Sequence, residues 1–416
     1  MTLEAETQCR RCKKNAATYI SRKEPFCKDC FVRFLRGKQR KQMADYKVCY
    51  DPSTSTPQIP PKILLALSLS ESSLSLLEML VSLLHEQRKM HRGNSGFELF
   101  VVHVDQSNVY TYPSGMEPAT ILENIRQIYS DTCTTLCTPV DDFFTDTRSV
   151  LHFMHNGSDI ADYSFLADLT LDGKITVPDV LANIRDRTSK LDILQTIREA
   201  LVFNAAKELH CTTIVWGDTM SRLAEKTLSL TAKGRGSVIP YLLSDGFRNG
   251  IYNIYPLREV LRAEAEEYVK MLDISKYVSK PSIKAPNVLR MMTIDDLLAN
   301  YFADFETGFP SIVSTVVRTA AKLTDKVADA SNICALCGLP CVDKSPERWL
   351  QDITVNQSAP SFDATSDDQD DAGPEKLVPR PMICYGCLVA TTGASFPWIS
   401  MLRNSKEEVL DEYELH

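Results

Sequence analysis

No stretch of this 416-residue chain approaches the ~20 consecutive apolar residues that cross a bilayer. The first residues, MTLEAETQCRRC, hold no apolar signal region. Together these absences predict a soluble, cytoplasmic protein. A general excess of positive charge is also missing. The formal net charge of −8 excludes a chain that coats nucleic acid by overall charge, though not one with a local basic patch. Tandem repeats are absent. One loop lacks what its place demands. KILLALSLSESSLSLLEML reads as a strand entering a helix, the junction where α/β proteins hold phosphates, yet SLSESS (68–73) contains neither glycine nor lysine.

What is present in quantity is paired cysteine. Eight of thirteen cysteines fall into four CxxC pairs, which in a reducing compartment points to metal and not to disulfides. Cys9, Cys12, Cys27 and Cys30 lie within 22 residues, the spacing of a closed tetrahedral zinc site. Cys334 and Cys337 match Cys384 and Cys387 across a long gap, with Cys341 the spare thiol. A site of four thiolates leaves no position for water, so both are read as structural zinc; iron suits the same ligands. Cys133 and Cys137, four apart, would share a helix face as ordinary buried thiols, and His152 and His155 have no acidic orienter beside them.

Positive charge concentrates near the N-terminus. Residues 10–47 carry thirteen Lys plus Arg against three Asp plus Glu. In FVRFLRGKQRKQMADYK, Phe31, Phe34 and Leu35 share one helical face, which leaves Arg33, Arg36, Lys38, Arg40 and Lys41 largely outward. With Arg10, Arg11, Lys13 and Lys14 they form a candidate phosphate-binding surface, since clustered cations gain from counterion release; the alternative is a solvated face on a zinc ribbon. Phe26 and Phe31 anchor the ribbon core or stack on bases. Lys233 and Arg235, in KGRG, are either a second phosphate contact or a solvated turn.

The remaining pattern is α/β. Residues 1–50 form a zinc ribbon with a basic helix, and 51–62 are a Pro/Ser/Thr-rich linker. Buried strands are predicted over 62–67, 97–104 and 212–218, with helices over 73–90, 192–209 and 257–272, so residues 63–272 build a parallel sheet with helices on both faces. Residues 151–190 fit no element. A helical extension (273–330) leads out of the core into a C-terminal zinc module (331–398). That module is interrupted by the acidic stretch 358–376, too poor in apolar residues to order itself, and a tail (399–416) follows.

In order along the chain, CRRCKKNAATYISRKEPFCKDCFVRFLRGKQRKQM (9–43), LALSLSESSLSLL (65–77), FVVHVD (100–105), IVWGDTMSRLAEKTLSLTAKGRGSVIP (214–240), YPLREVL (255–261), CALCGLP (334–340) and ICYGCL (383–388) resemble the cytoplasmic tRNA 2-thiolation protein 2 family. The resemblance implies a PP-loop ATP-pyrophosphatase-like domain flanked by the two four-cysteine modules. Active members of that wider superfamily carry Ser-Gly-Gly-x-Asp-Ser at the first strand-helix junction, where bare backbone closes on pyrophosphate. Here the run is Ser68, Leu69, Ser70, Glu71, Ser72, Ser73. Leu69, facing the triphosphate, offers bulk and no donor, so the loop is degenerate. The later Gly-His-Asn-x-Asp-Asp type segment is replaced by Gly217–Arg222, with Ser221 and Arg222 in place of the paired carboxylates. DRTSKLD (186–192) lacks the CxxC of the thiolating relatives.

The resemblance therefore implies a pseudoenzyme. Its partner would be the catalytic tRNA 2-thiolation protein 1, and it would support 2-thiolation of the wobble uridine in cytosolic tRNAs for Lys, Glu and Gln. In that pathway the partner adenylates the uridine and sulfur comes from a thiocarboxylated ubiquitin-like carrier. This chain would supply tRNA grip and scaffold. Two alternatives stay open: an active adenylating enzyme with an unusual loop, and a zinc-dependent interaction adaptor without RNA contact.

Overall fold

A computed structural model describes residues 8–51, 53, 57–113, 117–145, 150–154, 162–165, 175–279, 282–283, 292–323, 333–341, 382–399 and 401. In chain order, strands β1 (Tyr19–Ser21) and β2 (Glu24–Phe26) precede helix α1 (Lys28–Gln42). Next come β3 (Lys62–Ala66), α2 (Glu71–Met90), β4 (Glu98–Asp105), β5 (Tyr110–Thr111), α3 (Pro118–Tyr129) and β6 (Cys133–Pro139). They are followed by β7 (Val150–Met154), β8 (Asp162–Phe165), α4 (Val177–Ala182), α5 (Arg187–Glu208), β9 (Thr213–Trp216), α6 (Met220–Ala232) and α7 (Ile239–Leu243). The remainder is β10 (Gly246–Arg248), β11 (Ile251–Ile254), α8 (Arg262–Met271), β12 (Ser282–Ile283), α9 (Ile294–Gly308), α10 (Pro310–Ala320), α11 (Tyr385–Ala390) and β13 (Ser395–Ile399).

Two compact units result. The first takes residues 1–143, 194–232 and 239–325; the second takes 144–193, 233–238 and 326–416. The C-terminal cysteine module therefore shares its unit with two earlier stretches of chain. The acidic stretch 358–376, most of the tail, His155 and parts of the 51–62 linker lie outside the described residues.

The first unit is built on a six-stranded sheet in the order β10-β11-β9-β3-β4-β6. All neighbours pair in parallel except β10, which runs antiparallel on the edge. Its central strands read as apolar runs because both faces are covered: Ile63, Leu64, Leu65, Val101, Ile214 and Val215 are fully buried. Successive connections leave β3 towards β4 on one side and β9 on the other, so the C-terminal ends of β3 and β9 form a topological switch point. Helix α2 repeats apolar residues on a wide face, with Leu76, Leu77, Leu80 and Leu84 buried.

Several expectations are corrected. Cys133 and Cys137 lie on strand β6, not a helix; Thr134 and Thr135 favour the extended form, and β4 supplies the pairing. Helix α8 starts at Arg262, five residues later than predicted, because the Leu261 N–H donates to the Glu264 carboxylate and caps the first turn. Helices α9 and α10 do not leave the core: they pack on α6 and bury Phe302 and Val313. The unplaced 151–190 stretch contains β7, β8, α4 and the start of α5.

The second unit has a three-stranded antiparallel sheet, β13-β7-β8. Trp398 on β13 is fully buried, packs edge-on against Phe144 and donates its indole N–H to the Leu336 carbonyl at 3.0 Å. That bond satisfies the one polar atom a buried tryptophan carries.

The N-terminal ribbon is fastened to the first unit by charge. Phe26, Phe31 and Leu35 are buried in the main core, the anchoring role and not the base-stacking one. Glu264 on α8 is almost fully enclosed. It accepts from Ser21 Oγ (2.6 Å), Arg22 Nε (3.1 Å) and Lys38 Nζ (3.2 Å). Burial raises its carboxyl, but Lys38, Arg22 and the hydrogen bonds from Ser21 and Leu261 outweigh this and hold it below the usual range. A lowered folded-state value means the stabilisation is complete above the ordinary carboxylate range and is lost as pH falls through the folded-state value. E264Q is expected to cost about 3 kcal/mol, the typical penalty for stripping one partner from a buried pair. It should also flatten the acid limb of stability measured by urea unfolding between neutral and low pH.

Candidate metal centres and the cavity at the sheet switch point

The two sets of paired cysteines each close into a cluster. In both, the four Sγ atoms lie within 4.8 Å of one another. Cys12 and Cys27 sulfurs are 3.8 Å apart, and Cys337 and Cys384 sulfurs 3.7 Å apart. A tetrahedral metal with bonds of about 2.3 Å to sulfur sets its ligands roughly 3.8 Å apart, whereas a disulfide needs about 2 Å. The donor sets therefore fit a tetrahedral thiophilic metal. Cys341 is buried but stands outside the converging four.

The local folding explains the convergence. In each cluster the second CxxC opens a helix, with Cys27 and Cys384 at the N-caps of α1 and α11. Exposed first-turn N–H groups there favour negative sulfur. At Cys9, burial alone would raise the thiol. The N–H groups of Cys12, Cys27 and Arg11 reverse this and bring it down to about 6. In the C-terminal cluster the Cys384 N–H donates to Cys334 Sγ at 3.3 Å.

The β3–α2 turn lies at the mouth of a cavity of about 440 Å³ at the switch point. Leu69 adopts a left-handed φ of +58°, the conformation glycine accepts most readily. The residue lines the cavity, and its side chain, 1% exposed, also joins the hydrophobic core. The core contact offsets the ~1–2 kcal/mol cost of the left-handed backbone. Ser70 caps α2: its Oγ accepts from the Ser73 N–H, and Ser73 Oγ accepts from the Ser70 N–H. Ser68 and Ser72 hydroxyls complete the cluster at 3.2 Å from Ser73 and Ser70 respectively. Two of the N–H groups that would serve an anion are thus paired internally.

Charge around the cavity is balanced. Its wall carries Arg198, Arg222, Lys226 and Arg262, against Glu71, Glu199, Asp218 and Glu266. Lys226 pairs with Asp218 at 2.6 Å, while Arg222 and Arg262 converge on the buried Glu225. Among the described residues of the wall, the four cations are matched in number by four carboxylates. Ser221 accepts from the Arg262 N–H at 3.0 Å and donates to Glu306 at 2.5 Å. It joins α6, α8 and α9. Nothing in the sequence pattern singles out His103. It is buried in the cavity wall, and its Nδ1 donates to the Leu67 carbonyl at 2.8 Å, which leaves Nε2 as an acceptor.

The basic residues divide into two groups. Lys13, Lys14 and Arg33 are exposed and, among the described residues, make no ion pair. Arg10, Arg40 and Lys41 stand in exposed or half-exposed pairs with Glu24, Glu86 and Glu259. Arg11 lies over the Phe34 ring at 4.7 Å. Arg36 and Lys38 do not face outward as predicted, because α1 packs on α2 and α8. Arg36 binds Glu78 at 2.6 Å and Tyr268 at 3.0 Å, and Lys38 is 11% exposed against Glu264. Lys233 and Arg235 are likewise turned inward, in the second unit, on Asp192.

The sequence profile described as cytoplasmic tRNA 2-thiolation protein 2 matches residues 293–389. A relative of that name from Debaryomyces hansenii is 37% identical over 435 residues, covering 98% of this chain and 95% of its own. Another, from Scheffersomyces stipitis, is 34% identical over 440 residues, covering 99% and 96%. Among solved structures, the U34-tRNA thiolase NcsA from Methanococcus maripaludis, with its 4Fe-4S cluster, aligns with a TM-score of 0.53 at 15% identity. That alignment covers 86% of this chain and 100% of the thiolase and establishes a shared PP-loop-like fold.

Restoring glycine at the turn tests its present role. L69G relieves the left-handed strain but forfeits a buried leucine worth roughly 2–5 kcal/mol. The expected result is a net loss of about 1–3 kcal/mol in urea unfolding, with no gain in ATP affinity by calorimetry.

Proposed function

The chain belongs to the cytoplasmic tRNA 2-thiolation protein 2 family, and on that footing we propose that it is a non-catalytic subunit of the complex that 2-thiolates the wobble uridine of cytosolic tRNA-Lys, tRNA-Glu and tRNA-Gln. Its work is to grip tRNA and to scaffold the catalytic tRNA 2-thiolation protein 1, which receives sulfur from a ubiquitin-like carrier. The observation that carries this reading is the β3–α2 turn. Its hydroxyls cap one another, and its one glycine-like position is filled by a leucine rooted in the core. Balanced charge in the cavity supports the same conclusion.

Zinc is the metal proposed for both cysteine clusters, as a structural ion. Closed sets of four thiolates leave no open position for a substrate. The two centres hold the ribbon and the C-terminal knuckle in their folded forms.

For tRNA, the exposed set Lys13, Lys14 and Arg33, with Arg10, Arg11, Arg40 and Lys41 around it, is the proposed phosphate-binding face. A second reading, an interaction adaptor without RNA contact, draws support from the inward turn of Arg36, Lys38, Lys233 and Arg235.

Three measurements separate these readings. Isothermal titration of the purified chain with ATP and magnesium should give no binding; micromolar affinity would restore the active-enzyme alternative. Metal analysis should find two zinc ions per chain, and C9S or C384S should each remove one. Filter binding of tRNA at rising salt should show a steep loss of affinity. The variant K13E/K14E/R33E should lower the slope of log affinity against log salt by about one unit per lost phosphate contact. An unchanged slope would favour the adaptor.

A further inference from the structure

The KGRG segment, residues 233–236, turns both of its cations onto Asp192, and its surroundings in the second unit assign it a role of its own. Arg235 is 6% exposed. Its Nη2 donates to Cys387 Sγ at 3.2 Å, and its Nη1 binds the Asp192 carboxylate. Asp192 also receives Lys233 at 3.5 Å. The turn and the CYGC knuckle are pressed together through a glycine on each side. A Cβ on Gly234, where φ is +71°, would fall 2.4 Å from the Tyr385 ring, and a Cβ on Gly386 would fall 2.6 Å from Arg235 Cγ. Both glycines are required for this approach, so the contact is built into the backbone of both segments.

We propose that Arg235 is a positioning and charge-compensating residue of the C-terminal four-cysteine centre, holding Cys387 by an N–H···S bond and held in turn by Asp192. This rests on the reading that the centre binds a divalent metal. Four thiolates around such an ion leave surplus negative charge, and burying that charge without a counter-charge is costly. The guanidinium supplies a positive charge and a directed donor in one group, and its planar fork reaches thiolate and carboxylate at once. Outer-sphere donors of this kind fix ligand orientation and moderate how strongly the ligand gives charge to the metal. The N-terminal centre has a different arrangement. Among the described residues its thiolates receive backbone N–H groups and the Asn15 amide (4.0 Å from Cys27 Sγ), and no guanidinium donates to them. The two centres in one chain thus differ in their outer shells, and each serves as the internal control for the other.

The test uses the zinc-loaded full chain and a coloured chelator. The wild type should release two ions in two phases. R235M should speed the release of one ion by about 10–100-fold, the usual effect of losing an outer-sphere partner, and leave the other at the wild-type rate. R235K keeps the charge without the planar fork and should lie between. In the cobalt-substituted protein, R235K and D192N should move part of the sulfur-to-metal charge-transfer absorption to lower energy, because a thiolate freed of its donor gives charge more readily. A purely structural arginine would not move that band. Wild-type release rates and an unmoved band in both R235K and D192N overturn the proposal, whether or not R235M folds. A wild-type chain that retains a single metal ion, lost in C9S, overturns the reading of the C-terminal centre and the proposal with it.

Discussion

The turn from β3 into α2 has to satisfy the first N–H groups of a helix whose other face lies in the core. That constraint governs the rest of the first unit. In an anion-binding version of such a turn, the ligand takes those donors and glycine keeps the path clear. Here Ser70 and Ser73 take them, and Leu69 keeps the left-handed backbone while sending its side chain inward. The junction meets its first-turn donors with internal hydrogen bonds and its left-handed residue with apolar burial.

The two cysteine modules are joined to their units by different physics. The ribbon docks by Phe26, Phe31 and Leu35 and by one enclosed carboxylate, Glu264, shared between Arg22 and Lys38. Because one acid serves two cations, burial still pulls the Lys38 ammonium below its usual value, with Glu264 only partly offsetting it. The C-terminal knuckle is instead secured by close backbone approach and by a guanidinium in contact with sulfur. Four of the eleven basic residues that suggest nucleic acid in the sequence, Arg36, Lys38, Lys233 and Arg235, thus hold the protein together, and the remainder forms a narrower face.

The central strands and α2 were legible in the sequence because their signals are local. Ile63–Leu65 and Leu99–Val102 are continuous apolar runs, and Ser70 precedes a regular helical period. The cysteine clusters were legible because CxxC spacing encodes geometry directly. The directions of Arg36, Lys38 and Arg235 were not. Helical spacing shows which residues share a face, but their partners are Glu78, Glu264 and Asp192 with Cys387, far away along the chain. Strands β7 and β8 carry no comparable local signal: β7 takes its other neighbour from β13, far along the chain. At Leu69 the residue's identity suggests bulk over a ligand, but neither its left-handed backbone nor its place in the core can be read from the sequence.

The pairing of β7 with β13 joins segments about 240 residues apart. A ribosome adding ~5–20 residues per second needs roughly 12–50 s to make the later strand after the earlier one has emerged. Until then the β7–β8 hairpin has an open edge, and the arginine destined for the last cysteine has no sulfur to meet. The parallel sheet, whose strands are all made by residue 254, has no such delay. The nascent chain thus carries a finished first unit and a waiting second one, whose unpaired strand edge is a template for other chains until β13 covers it.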